Sequence, residues 1–128
     1  MAQVKVYGNH TELRKVRDEL SRIIHESICE VFAYPKAKKF HRFIGLNEDD
    51  FIYNDRSSSY TIIEILLFEG RTVEAKKTLI RLLFRRIHEE LQISPHDIEM
   101  TLIETPKENW GIRGVPGDEL VLPYKVDV

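Results

Sequence analysis

Between residues 60 and 112 a β-branched apolar run leads into Glu69-Gly70-Arg71-Thr72, then a long basic amphipathic stretch, an alternating run and Trp110-Gly111. Residues 60–68 are aliphatic on both faces of an extended chain, which predicts a central strand. Ile80, Leu83, Ile87 and Leu91 then recur at helical spacing behind Thr72, a good N-cap residue. Ile98, Met100 and Leu102 alternate with Glu99 and Thr101, as a half-buried strand requires. Parallel strands joined through a helix form a right-handed crossover, so the segment is constrained to one βαβ unit. Its first turn carries a cation, Arg71.

The preceding residues repeat the plan. Val4-Lys5-Val6-Tyr7 alternates up to Gly8-Asn9, and a helix is expected behind Thr11, with Leu13, Val16, Leu20, Ile23, Ile24, Ile28, Val31 and Phe32 at helical spacing. Pro35 ends it, and residues 40–46 form a second strand interrupted by His41 and Arg42. The organisation expected is a single domain over 1–128: halves 1–46 and 60–112, a crossover loop 47–59, and a tail 113–128 in which 120–122 and 124–126 add edge strands. The fold class is α/β (α+β), β-α-β-β-α-β, with two βαβ units in one four-stranded sheet and both helices on one face. An apolar opposite face would need covering by another subunit.

Composition narrows the function. With 19 Lys+Arg against 21 Asp+Glu the chain has no cationic excess, and no interleaved aromatics accompany its basic helix, so no nucleic-acid partner is expected. The apolar runs are too short for a bilayer, no charged-then-apolar leader opens the chain, and Cys29 has no internal partner. A soluble cytoplasmic protein without a membrane partner is expected. His10, His25, His41, His88 and His96 show no metal-ligand spacing, and no phosphate loop or nucleophile elbow is present, so no metal and no cofactor are expected.

Residues 66–72, Lys76-Lys77 and residues 104–112 (Glu-Thr-Pro-Lys-Glu-Asn-Trp-Gly-Ile) resemble the tautomerase superfamily, and within it the double-length branch that includes malonate semialdehyde decarboxylase. The resemblance implies a trimer with sheets inward and helices outward. It also implies an N-terminal proline amine as general acid or base on oxo acids, arginines that hold the substrate carboxylate, and an aromatic pocket wall. Counting back from Pro35 without a gap puts Ala2 in place of that proline. Loss of Met1 would expose a primary amine there, with an ordinary pKa of about 7.7 to 8.0; retention of Met1 displaces the amine by about 3.3 Å.

Arg71 matches the carboxylate-binding arginine, and a guanidinium fork suits that task. An arginine beside a helix start is otherwise disfavoured by the helix dipole. Trp110 matches the aromatic wall, or else is a core indole. Lys38 stands where the branch has an acid, Glu69 where it has a further arginine, and Glu99 where the small tautomerases have one. Lys38 adds to anion binding or is a solvated loop residue. His41, at roughly the first half's counterpart of Glu99, faces the same kind of pocket or is a structural histidine. Arg56 is expected to bridge its loop to a neighbour.

The catalytic candidates are thus Ala2, through its amine, and His41; the substrate-binding candidates are Arg71, Trp110 and Lys38. Two functions stay open: a tautomerase-like isomerase acting weakly on a small enolisable oxo acid, or a non-catalytic homotrimeric binding protein that kept an anion pocket for a small carboxylate.

Overall fold

The computed structural model describes residues 1–126. Strand β1 (Ala2–Asn9) is followed by helix α1 (His10–Phe32) and strand β2 (His41–Leu46); β3 (Thr61–Phe68), α2 (Val73–Leu91) and β4 (Ile98–Thr105) repeat the succession. The sheet order is β2-β1-β3-β4, with β1 parallel to β2, β3 parallel to β4, and the two halves joined by antiparallel pairing of β1 with β3. This is the expected β-α-β-β-α-β architecture.

Alternation along the strands builds the core. Ala2, Val4 and Val6 of β1 and Ile63, Ile65 and Leu67 of β3 are buried against Leu20, Ile23, Ile24, Ile28 and Phe32 of α1 and Leu79, Leu83 and Ile87 of α2. Both helices therefore lie on one face of the sheet. Thr72 caps α2 by accepting a hydrogen bond from the Ala75 amide at 3.1 Å. Helix α1 starts earlier than expected, because β1 runs through Gly8 and Asn9 and passes straight into it; Asn9, not Thr11, is its N-cap. It ends at Ala33, whose φ of 51° and ψ of 42° break the helix two residues before Pro35.

The opposite face is mixed rather than apolar. Ile44, Ile62, Leu66 and Ile103 share it with Lys5, Tyr7, Arg42, Glu64 and Glu99. Tyr7 donates to Glu64 at 3.0 Å, and Lys5 pairs with the same carboxylate at 3.8 Å.

One local expectation fails. Residues 120–126 form no strands; a small hairpin of β5 (Gly111–Ile112) and β6 (Val115–Pro116) precedes them instead. Pro123 lacks an amide donor, which denies that stretch a regular ladder. Arg56 is engaged within its own chain: it pairs with Glu99 at 2.8 Å and lies over the Tyr60 ring, its guanidinium carbon 5.6 Å from the centroid. Among the described residues no helix is long and apolar enough to cross a membrane.

Candidate functional site

The site is assembled where the start of β1 meets the end of β3. In the central ladder Ala2 pairs with Leu67, so Met1 arrives beside Phe68 and the Gly70-Arg71 turn. Gly70 holds φ at +133°, a conformation glycine adopts freely, and this lets the chain turn sharply off β3 into α2. Met1, Phe68 and Val126 are buried together there, with Trp110, Ile112, Leu122 and Tyr124 packed around them. Trp110 sets its indole at 86° to the Phe68 ring, centroids 5.2 Å apart, and donates its N–H to Thr105 Oγ1 at 2.7 Å.

Arg71 is the unusual member. It is 5% exposed, its Nη1 donates to the Phe68 carbonyl at 3.2 Å, and its Nε and Nη2 have no partner. The guanidinium carbon sits 4.9 Å above the Phe32 ring. Burial pulls the group below its ordinary pKa, while the nearby Tyr124 and Tyr34 oxygens and Glu104 favour its charge. Tyr124 is close enough for its hydroxyl to support the guanidinium's charge, though without a well-formed hydrogen bond to Nε or Nη2; it also meets the Met1 amine. Burial, with Arg71, Lys38, Lys107 and Arg113 added to it, lowers that amine from 8.0 to about 5, so it is neutral at pH 7. Tyr124 is pushed up to about 12, chiefly by burial.

Among the residues expected to form a site, Arg71, Trp110 and the chain start thus come together, and Lys38 lies close enough for its charge to weigh on the amine. Ala2 is buried in the main core, and its backbone N–H donates to the Tyr34 hydroxyl at 3.0 Å. An amine left there by removal of Met1 would inherit that tyrosine.

His41 does not join them. It pairs with Val4 and faces α1, where its Nδ1 lies 2.8 Å from Ser21 Oγ, whereas Glu99 is on the other side of the sheet. The sequence-based alignment of the halves was off by one residue, and one residue in a strand reverses the face. The first-half counterpart of Glu99 is Arg42, on the open face, where it donates to the Gln3 side chain at 3.1 Å.

Burial, helped by Lys39 and His25, lowers His41 from 6.5 to about 4. Between these values the unfolded chain holds a proton that the folded chain does not, so stability falls as the pH drops from 6.5 towards 4. His41→Asn should flatten this loss by about 1–2 kcal/mol after allowance for solvent screening. Urea midpoints at pH 7 and pH 4.5 check it; equal losses in both proteins would exclude His41 as the source.

Tyr34, Tyr124, Lys107 and Arg113 were missed by sequence reasoning. Tyr34 adjoins the helix-ending Pro35, a signal that pointed at the turn but not at the direction of the ring. The others lie beyond β4 in segments without a period. A cavity of about 180 Å³ between Gly8, Leu13, Tyr60 and Leu91 lies at the other end of the sheet and includes none of the expected site residues. Among the described residues no three His, Cys, Asp or Glu side chains gather to hold a metal ion.

Known proteins resemble this chain in sequence and in fold. A family model described as "Tautomerase enzyme" matches residues 38–113. The probable tautomerase YusQ of Bacillus subtilis (strain 168) is 31% identical over 98 residues, which is 72% of this chain and 77% of that protein. The 2-hydroxymuconate tautomerase of Comamonas testosteroni is 37% identical over 57 residues, 44% of this chain and 90% of the relative. Among solved structures, native fused 4-OT superposes with a TM-score of 0.80 at 18% identity, covering 92% of this chain and 98% of its own. Malonate semialdehyde decarboxylase gives a TM-score of 0.78 at 16% identity, with 91% and 94% covered. At these identities the structural likeness speaks for the fold.

Proposed function

We propose, from the premise that this chain belongs to the tautomerase enzyme family, that it holds a small oxo acid by its carboxylate at Arg71 and acts on it as a weak tautomerase. The observation that carries this reading is the Arg71 fork itself. Two unpartnered guanidinium nitrogens in a buried setting are a standing demand for a planar anion, which a carboxylate meets with two parallel hydrogen bonds. Trp110 packs edge-on against Phe68, whose carbonyl accepts from Arg71, and is the aromatic wall of this reading.

A neutral amine next to a bound enol can take its hydroxyl proton and return a proton at carbon. The keto form results, nothing is oxidised, and no group leaves. The Met1 amine, or the Ala2 amine after removal of Met1, fills that role; the Ala2 amine would sit against the Tyr34 hydroxyl. Burial first, and then the charges of Arg71, Lys38, Lys107 and Arg113, keep the Met1 amine unprotonated. His41 has no part in this step, since it faces α1.

The protomer is expected to work as a homotrimer that buries the mixed sheet face, with Arg42 lying on that face; sedimentation measures this. Phenylenolpyruvate is the substrate to try. Ketonisation should be accelerated over buffer and fall at least about 30-fold in Arg71→Ala, as expected when one partner of a buried charge pair is removed. Mass spectrometry of the N-terminus identifies which amine is present. Turnover indifferent to Arg71 would overturn the proposal.

A second reading is a trimeric protein that binds a small carboxylate without turning it over. The buried Met1 side chain favours it, because it occupies the space beside Phe68 and Trp110. Malonate binding that depends on Arg71, with no ketonisation in either N-terminal form, would establish that version.

A further inference from the structure

The last stretch of chain is attached differently from everything else around the site. Its final main-chain hydrogen bond is the Leu120 amide to the Gly117 carbonyl at 3.4 Å; among the described residues, 121–126 make none. They are held by side chains alone. Leu122, Tyr124 and Val126 turn inward to Phe68, Trp110 and Met1, while Val121 is 93% exposed. Tyr124 rests edge-on against Tyr34, centroids 5.0 Å apart. Val126 lies on the Gly70 turn so closely that a Cβ at Gly70 would meet its Cγ1 at 3.1 Å.

Arg71, one residue on from that contact, is 5% exposed. A ligand cannot reach its free nitrogens unless something moves. Strands β1 and β3 are fixed by the central ladder and α2 by its own hydrogen bonds, whereas a segment lacking main-chain hydrogen bonds opens at small local cost. We propose that residues 122–126 form a strap that gates the Arg71 site, with Tyr124 and Val126 deciding which carboxylates enter. This rests on the reading of Arg71 as a carboxylate holder and adds to it a means of entry.

With the strap down, Tyr124 and Val126 stand where a ligand must pass and Arg71 keeps two nitrogens unused. With it lifted, a carboxylate pairs with both, and the strap reseats only over a ligand small enough to leave room for the tyrosine ring. The apparent dissociation constant is then the intrinsic one divided by the fraction of open chain, so loosening the strap tightens binding.

Trp110 is the sole tryptophan and touches the same cluster, which makes its fluorescence a reporter of the strap. Malonate, with phenylmalonate as the bulkier probe, should be titrated into the full chain as wild type, Val126→Ala, Tyr124→Phe and Arg71→Ala. Acrylamide quenching of Trp110 is followed in parallel as the reporter of the strap, with hydrogen exchange over β1 and β3 as the control. In Val126→Ala, acrylamide quenching of Trp110 should rise with exchange of the central strands unchanged, and phenylmalonate affinity should rise about tenfold. Phenylmalonate should gain more than malonate. Tyr124→Phe, which keeps the ring, should favour the small probe over the bulky one as the wild type does.

Binding by Val126→Ala but not by wild type would also support the gate. Greater Trp110 quenching with unchanged or weaker phenylmalonate binding would overturn it, as would equal gains for both probes. Binding that survives Arg71→Ala would instead defeat the reading of Arg71, so the two failures are distinguishable.

Discussion

Arg71→Met should raise the thermal midpoint by several degrees while removing carboxylate binding. A buried guanidinium whose Nε and Nη2 have no partner leaves two desolvated donors unsatisfied, and each such group costs about 1–3 kcal/mol. Methionine fills much of the same length beside Phe32 without that demand. The single Phe68 carbonyl contact is lost, which offsets part of the gain. Binding moves the other way, because the fork offers paired donors to both oxygens of a carboxylate. Its removal should weaken malonate by about 2–5 kcal/mol, or at least about 30-fold. Scanning calorimetry and a malonate titration check the pair of effects. A variant both less stable and unaltered in binding would mean that Arg71 is structural.

Phe32→Ala is expected to do the most damage to the fold. The ring is fully buried at the last turn of α1 and lies beneath the Arg71 guanidinium at 4.9 Å. Its deletion should cost about 3–5 kcal/mol, from lost burial and the cavity left behind. Phe32→Leu separates the two roles of the ring. Leucine keeps most of the packing, with a loss of about 1 kcal/mol, but offers no π face, which is worth about 0.5–2 kcal/mol to a desolvated cation. Urea unfolding should show a small loss for the leucine variant and a large one for alanine. If malonate binds Phe32→Leu as tightly as wild type, the ring does not hold Arg71 in place.

The architecture was legible because periodicity reports it directly. Residues 60–102 switch from period 2 to 3.6 and back, and Thr72 marks the switch; the structure puts β3 and α2 within a residue of those limits and carries β4 three residues past Leu102, to Thr105. Where the period is short or punctuated, inference failed. Gly8-Asn9 looked like a turn but is the end of a strand running straight into α1, since Asn9 serves as strand end and N-cap at once. Leu122 and Tyr124 alternate as in a strand, but they alternate to pack side chains, not to form a ladder.

The site was legible where a special backbone position flagged it, as at Gly70-Arg71, and illegible where tertiary approach alone creates it. Nothing local announces that Tyr124 returns to the chain start 123 positions away. His41 was placed on the wrong face because matching two halves of slight identity leaves an uncertainty of one residue, and one residue inverts a strand.

Antiparallel pairing of β1 with β3 gives the sheet an approximate two-fold axis, which exchanges one half of the chain for the other. The crossings into the helices break it. Strand β3 reaches α2 through the Glu-Gly-Arg turn, while β1 enters α1 with no turn at all. At the far end, Phe51 stacks on Tyr60 with Tyr53 packed against both rings, and Arg56 already has Glu99 as its partner. A duplicated plan has thus become a molecule with a head and a tail. One end keeps a cation in want of an anion and the other has neutralised its own, so such a chain should titrate with one ligand equivalent where its strand diagram suggests two.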